Sequence, residues 1–555
     1  MAAMDPPDTT ALVDDVVREL LDRHPQDATA LGRHDGDHRL DDTSPEALAD
    51  ESRWLSRRLG DVDLARAEAA AAADVAGQVD LEILTNALER RRFHVEDLRA
   101  HEWDPLDSNP GTALYHLLAR DFAPLEDRLR SLAGRLDAVP RALATARASL
   151  REMPRVHVET ALTQIAGART LVATEVAAAL DRADALRPVV EPAAERAVEA
   201  LNTHLDWLES QLDSAAGDPR LGPELFGRKL SLTLDTALDA DEVLAAAEEN
   251  LARATELIEQ AAALLDRGPA DGRVRRVLDR LAAESEITDD TILPTCEKAL
   301  ETTRAFLREH DLVTVPDAAV RIVVMPEIHR GVAVAYCDAP GPLESKPLDT
   351  YFAVSPTPNG WTDERVRSFY REYNAYMLEN LTVHEAMPGH VLQLAHSNGS
   401  TGASLARRAF WSGSFVEGWA VLAEELMADA GYGGDGNLKI RMQQLKMQLR
   451  LSINAILDVR VHAHGMTEDE GMRLMMERGH QEDGEAAGKW RRALLTSGQL
   501  STYFVGYVET SAVAADLRAE RPELSTRERH DAMLAHGSPP PRHLRTLLGL
   551  GPAHR

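Results

Sequence analysis

The sequence predicts a mainly α-helical, multi-helical fold with a small antiparallel β-sheet beside the helix that carries its chemistry. Three observations predict it. Apolar residues recur at three- and four-residue spacing through most of the 555 residues. Ala, Leu, Glu and Arg abound while aromatics make up only 5%, a composition that favours helix. Runs of β-branched residues are confined to a stretch between 321 and 355.

The elements follow in order. Helical periodicity marks 65–74, 123–152, 155–186, 190–215 and 239–266, punctuated by Pro140, Pro154, Pro188, Pro192, Gly217-Asp218-Pro219 and Gly268-Pro269. No catalytic cluster occurs in this half, and residues 1–315 read as a helical scaffold lobe. Composition changes near 316. Residues 321–326 and 331–337 read as two short strands with a turn between them, and 350–355 as a third. From 362 the helical pattern returns, so 316–555 reads as the catalytic, metal-binding lobe. At this length two or more packed lobes are expected.

The formal net charge is −30. A chain so acidic is repelled by nucleic acid and by anionic membrane surfaces, so neither is expected as a partner. Cys296 and Cys337 are the only cysteines, which suits a reducing compartment and packing roles. With no apolar leader and no run of about 18 apolar residues, a cytoplasmic protein is expected.

Chemistry concentrates in Leu381-Thr-Val-His-Glu-Ala-Met-Pro-Gly-His-Val-Leu-Gln393. In the common H-E-x-x-H pattern two histidines one turn apart share a helix face and a zinc ion, and the Glu acts as base. Here His384 and His390 are six apart, about 600° of rotation on a regular helix, which leaves them about 120° out of alignment. Pro388 cannot donate to the carbonyl of residue 384, and Gly389 tolerates unusual backbone angles, so a bulge or broken turn can bring His390 back. A third ligand is expected on the helical stretch 414–426. Glu417 would complete a His2Glu set with one open position, and Glu424, seven residues on, either orients a ligand histidine or competes as the ligand.

The H-E-A-M-P-G-H-V-L-Q stretch followed by E-G-W-A resembles the family called domain of unknown function 885, in the HExxH metallopeptidase superfamily (gluzincin branch). The resemblance extends to Asp42-Thr-Ser-Pro-Glu-Ala, to Val139-Pro-Arg-Ala-Leu-Ala and to residues 496–506. It implies a metallopeptidase-like helical fold, His384, His390 and Glu417 as zinc ligands (another divalent metal being possible), and Glu385 as general base. The dipeptidyl peptidase III family, with H-E-x-x-G-H, shows that an extended spacing can bind zinc. The family's usual Pro-Gly-Gln is Ser-Gly-Gln at 497–499, and Arg460 stands where Gly is common.

Tyr503 and His462 are candidate oxyanion-stabilising residues, with Asp458 beside His462 in a supporting or oxyanion-stabilising role. No metal role is expected of His396. The expected activity is hydrolysis of peptide or amide bonds in short peptides or small amides, with the edge of the sheet at 350–355 holding the substrate backbone. A metal-dependent small-molecule enzyme on the same fold is the alternative, and an inactive helical binding protein a more distant one.

Overall fold

The computed structural model describes residues 9–551 apart from 73, 285, 326–333, 359 and 401. Helices dominate it. Those read from periodicity are present as Leu125–Ser149, Arg155–Asp181, Arg187–Gln211 and Ala240–Leu265, while 65–74 is the end of a longer helix, Pro45–Ala71. Pro140 and Pro192 do not break their helices. Around Pro140 the side chains of Leu136, Val139 and Leu143 are fully buried, and that packing holds the helix through the missing backbone hydrogen bond.

The chain divides into two compact units. One runs to Pro219 and takes in Pro340–Leu348 and Ser404–Ala409; the other holds Arg220–Ala339, Asp349–Ala403 and the chain from Phe410. The boundary is therefore near 219, not at 315. The reason lies in what Ala240–Leu265 buries: Val243, Leu251 and Ile258 share a core with Leu449, Ile453 and Ile456 of a helix almost 200 residues on. Periodicity shows that a helix has an apolar face. It does not show which partner covers that face.

In the first unit, Leu132, Leu136, Ile165, Val172 and Leu201 meet in one core. Pro340–Leu348 belongs here, with Glu344 Oε1 3.1 Å from His34 Nε2. In the second unit six helices carry the residues of interest: α1 (Ala375–Glu385), α2 (His390–Gly399), α3 (Gly413–Asp429), α4 (Asn437–His464), α5 (Asp483–Leu495) and α6 (Ser501–Glu520). Asn374 caps α1 by accepting from the amides of Tyr376 and Met377, and Ser412 caps α3 by accepting from Phe415.

The sheet has three strands, β1 (Val320–Val324), β2 (Ala335–Asp338) and β3 (Thr350–Val354), in the order β1-β3-β2. It is mixed, not antiparallel: β3 runs parallel to β1, with Val320 opposite Thr350 and Val324 opposite Val354, and antiparallel to β2. The two early strands do not pair with each other; β3 enters between them. Residues 326–333, and with them the expected turn, lie outside the described residues. Because β3 is central, with a strand on each side, 350–355 is not the free edge that strand addition requires. The sheet does lie beside α1, where Phe352 and Val354 share a core with Leu378, Leu381 and Val383. No helix among the described residues is long and apolar enough to cross a membrane.

Helices α3 and α6 touch backbone to backbone. A Cβ on Gly418 would meet the Gly506 carbonyl oxygen at 2.2 Å, and one on Gly506 would meet that of Ser414 at 2.1 Å. Gly413 also lies against Thr502, so contacts step the same way along both helices. Backbone oxygens cannot yield as a flexible side chain can. Gly418→Ala should therefore cost about 2–4 kcal/mol of stability, above the usual overpacking range, as a lowered urea midpoint; an unchanged midpoint would show that α3 can move off α6 at no cost.

Candidate metal centre

Helix α1 ends at Glu385 and α2 begins at His390, so the six-residue spacing is absorbed by a broken turn, as the Pro-Gly pair predicted. The Met387–Pro388 peptide is cis. Gly389 sits against the end of α1, donating from its amide to the Val383 carbonyl at 2.9 Å. A Cβ there would lie 1.8 Å from the His384 carbonyl oxygen, which only glycine avoids. The turn is also fixed from outside: Trp419 on α3 donates from Nε1 to the Pro388 carbonyl at 2.8 Å.

The break brings the two imidazoles together, with ring centroids 4.8 Å apart. Glu417, from the first turns of α3, faces both. Its Oε2 lies 3.4 Å from His384 Nε2 and 3.5 Å from His390 Nε2. One donor atom from each of the three residues lies within 4.8 Å of the others. Glu417 Oε2 is buried without a hydrogen bond, as is Nδ1 of His390.

Glu424 lies behind His384, outside the group of His384, His390 and Glu417. Its carboxylate, 1% exposed, accepts from His384 Nδ1 at 2.7 Å and from Asn380 Nδ2 at 2.7 Å. With Nδ1 held by Glu424, Nε2 of His384 faces Glu417 and His390. Burial opposes charge on His384, yet Glu417 and Glu424 hold its pKa well above the ordinary histidine range. Burial also opposes charge on Glu417, yet His390 and His384 hold its carboxyl well below the ordinary range. Two imidazole nitrogens and a carboxylate oxygen, with a second carboxylate behind one imidazole, form a group that could hold a divalent cation such as zinc.

Glu385 is partly buried at the end of α1 and makes no hydrogen bond with a described residue. Tyr503 does not join the three ligands; its hydroxyl accepts from Arg492 Nη2 at 3.2 Å. His462 does not join them either. It is buried, its Nε2 donates to the carbonyls of Ala493 and Thr496 at 2.9 and 2.8 Å, and its ring stacks on Phe226. Asp458 accepts from the amides of Gly498 and Ser501 and from the Ser501 hydroxyl, so it fastens the start of α6. The Asp458–His462 pair thus supports the turn that carries Tyr503 and stands apart from the ligand group. His396 is engaged with the Thr314 carbonyl at 2.7 Å. Cys296 is buried and its thiol pushed up to about 12 by that burial, which leaves it no nucleophilic role.

Sequence reading missed Asn380, Trp419 and the Gly418–Gly506 contact. Asn380 had a signal, since it stands four residues before His384 on one helix face. Trp419 had none of its own, because its partner is a backbone oxygen.

The family described as "Bacterial protein of unknown function (DUF885)" matches residues 25–548. A solved structure described as "a putative lipoprotein of unknown function" from Shewanella oneidensis is similar, with a TM-score of 0.81 and 26% identity over 98% of this chain and 99% of that one. A second, a "putative lipoprotein" from Colwellia psychrerythraea, has a TM-score of 0.78 at 15% identity over 98% of each chain, a likeness of fold alone. No curated protein matches the chain.

Glu424→Gln should lower zinc affinity roughly 10- to 100-fold in a competitive chelator titration while leaving the helical circular-dichroism signal unchanged. Affinity equal to wild type would remove Glu424 from its orienting role.

Proposed function

We propose that this chain, which belongs to the DUF885 family, is a zinc-dependent hydrolase of peptide or amide bonds in short peptides or small amides. The observation that carries the proposal is the meeting of His384, His390 and Glu417 in one donor group, with Glu424 behind His384. Zinc held by His384, His390 and Glu417 would supply Lewis-acid chemistry, polarising a carbonyl and lowering the pKa of water to about 7.

The chain's own residues would then do the following. His384 and His390 present Nε2 atoms and Glu417 a carboxylate oxygen. Glu424 keeps the proton of His384 on Nδ1, away from the ligand side. Glu385, next to His384 in the chain and without a hydrogen-bond partner among the described residues, is free to take a proton from the attacking water and pass it to the leaving amine. Trp419 holds the Pro388 turn so that His390 keeps its place. In this reading Tyr503 serves the substrate and not the metal, and His462 acts only through packing. A cytoplasmic setting belongs to the same proposal, resting on the scarcity of cysteine, with Cys296 and Cys337 the only two in 555 residues.

Glu385→Gln should lower turnover at least 10³-fold with zinc content unchanged, read by activity on a peptide library beside metal analysis. Turnover at the wild-type rate in that variant would overturn Glu385 as the base. Chelation should abolish activity and zinc should restore it; activity that survives full metal removal would overturn the hydrolase reading as a whole.

A further inference from the structure

A group of cations in the same unit, Lys446 and Lys489 buried and Arg450 and Arg492 partly so, is not explained by the donor set. Lys446 and Arg450 stand one turn apart on α4, and Lys489 and Arg492 three residues apart on α5. Two carboxylates meet them. Glu372 accepts from Lys446 Nζ at 2.9 Å, and its other oxygen lies 3.9 Å from Arg450 Nη1. Glu485 accepts from Arg450 Nη2 and, at 3.2 Å, from the Tyr373 hydroxyl. Lys446 and Arg450 therefore engage both anions. Arg492 directs its Nη2 to two neutral oxygens, Gln499 Oε1 at 2.9 Å and Tyr503 Oη at 3.2 Å.

Lys489 is left over. It is 6% exposed and makes no hydrogen bond or ion pair with any described residue. Burial, and then Arg450 and Arg492, hold its ammonium well below the ordinary lysine range, with Glu372 acting in the other direction. Gln443, three residues before Lys446 on α4, is fully buried with neither atom of its amide hydrogen-bonded. Buried charges of a purely structural kind are matched by partners. Here four cations face two carboxylates, with a lysine and an amide left unpartnered, so the group is short of negative charge.

The group shares its supports with the donor set. Glu372 and Tyr373 lie just before α1, and His384 lies in its last turn, about 14 Å along the axis from Ala375. That distance is the span of about four extended residues, less the reach of the lysine and arginine side chains. Tyr503, bound to Arg492, is one turn before Gly506, where α6 touches α3 beside Glu417.

We propose that Lys489 and Arg492 form a subsite for the free C-terminal carboxylate of the substrate, so that the hydrolase acts on short peptides cut a few residues from that end. The bond cleaved rests on the hydrolase reading; the recognition of a carboxylate does not. The anion would pair with Lys489 and accept from Arg492, supplying the charge that Glu372 and Glu485 do not.

The test uses a mixture of tri- and tetrapeptides as free acids and the same mixture as C-terminal amides, presented to the Glu385→Gln protein and read by mass spectrometry of the retained fraction. Free acids should be retained roughly 10- to 100-fold over amides, the range expected for hydrogen bonds to a charged group. Lys489→Met and Arg492→Gln should each erase most of that preference with zinc content unchanged, and Lys489→Met should keep or raise the denaturation midpoint, since it removes an unpartnered buried amine. Equal retention of acids and amides, retention of neither, or a preference that survives both substitutions would overturn the subsite. Metal-stripped protein separates the two readings. Discrimination that persists there while wild-type protein shows no metal-dependent turnover leaves the subsite standing and the hydrolase reading fallen.

Discussion

The backbone of Gly389 lies so close to the carbonyl of His384 that no other residue fits, and the donor group depends on that contact. If the helix ran on regularly from Glu385, the second histidine would point away from the first. Because it stops and restarts at His390, the imidazoles face each other and a single carboxylate can serve both. The rest of the second unit reads as support for this break. Trp419 ties Pro388 to α3, Glu424 on the same helix holds His384, and the glycine contact between α3 and α6 fixes how closely α6 approaches the helix that bears Glu417.

Polar groups without partners are rare inside folded proteins, and some of those in the second unit lie at the sites described above. Glu417 Oε2 and His390 Nδ1 lie in the donor group, Gln443 beside the cations of α4. The apolar cores around them are closely packed, with Trp419, Phe352 and Phe415 all but fully buried.

The broad fold and the donor set were legible in the sequence because both are carried by short-range pattern. Apolar spacing marked the helices, and Pro-Gly between His384 and His390 announced the broken turn. Long-range facts were not legible. Nothing in residues 335–355 says that β3 will enter between the two earlier strands, and nothing in the apolar face of Ala240–Leu265 says that α4 will cover it. The same limit misplaced His462. An acid and a histidine four apart on a helix fit a site as well as a core, and only the carbonyls of Ala493 and Thr496, more than 30 residues away, decide for the core. Lys489 had no local signal at all, because a lysine on an amphipathic helix is ordinarily solvated.

Whether His384, His390 and Glu417 hold a metal is tested most directly by the metal content of the protein. Protein purified without added metal, dialysed and analysed by mass spectrometry, should carry about one equivalent of zinc or another divalent metal per chain, as a three-ligand protein site with one open position does. His390→Ala and Glu417→Ala should each lose most of it without unfolding. No metal above background in the wild-type chain, with no uptake on titration with zinc, would contradict the account.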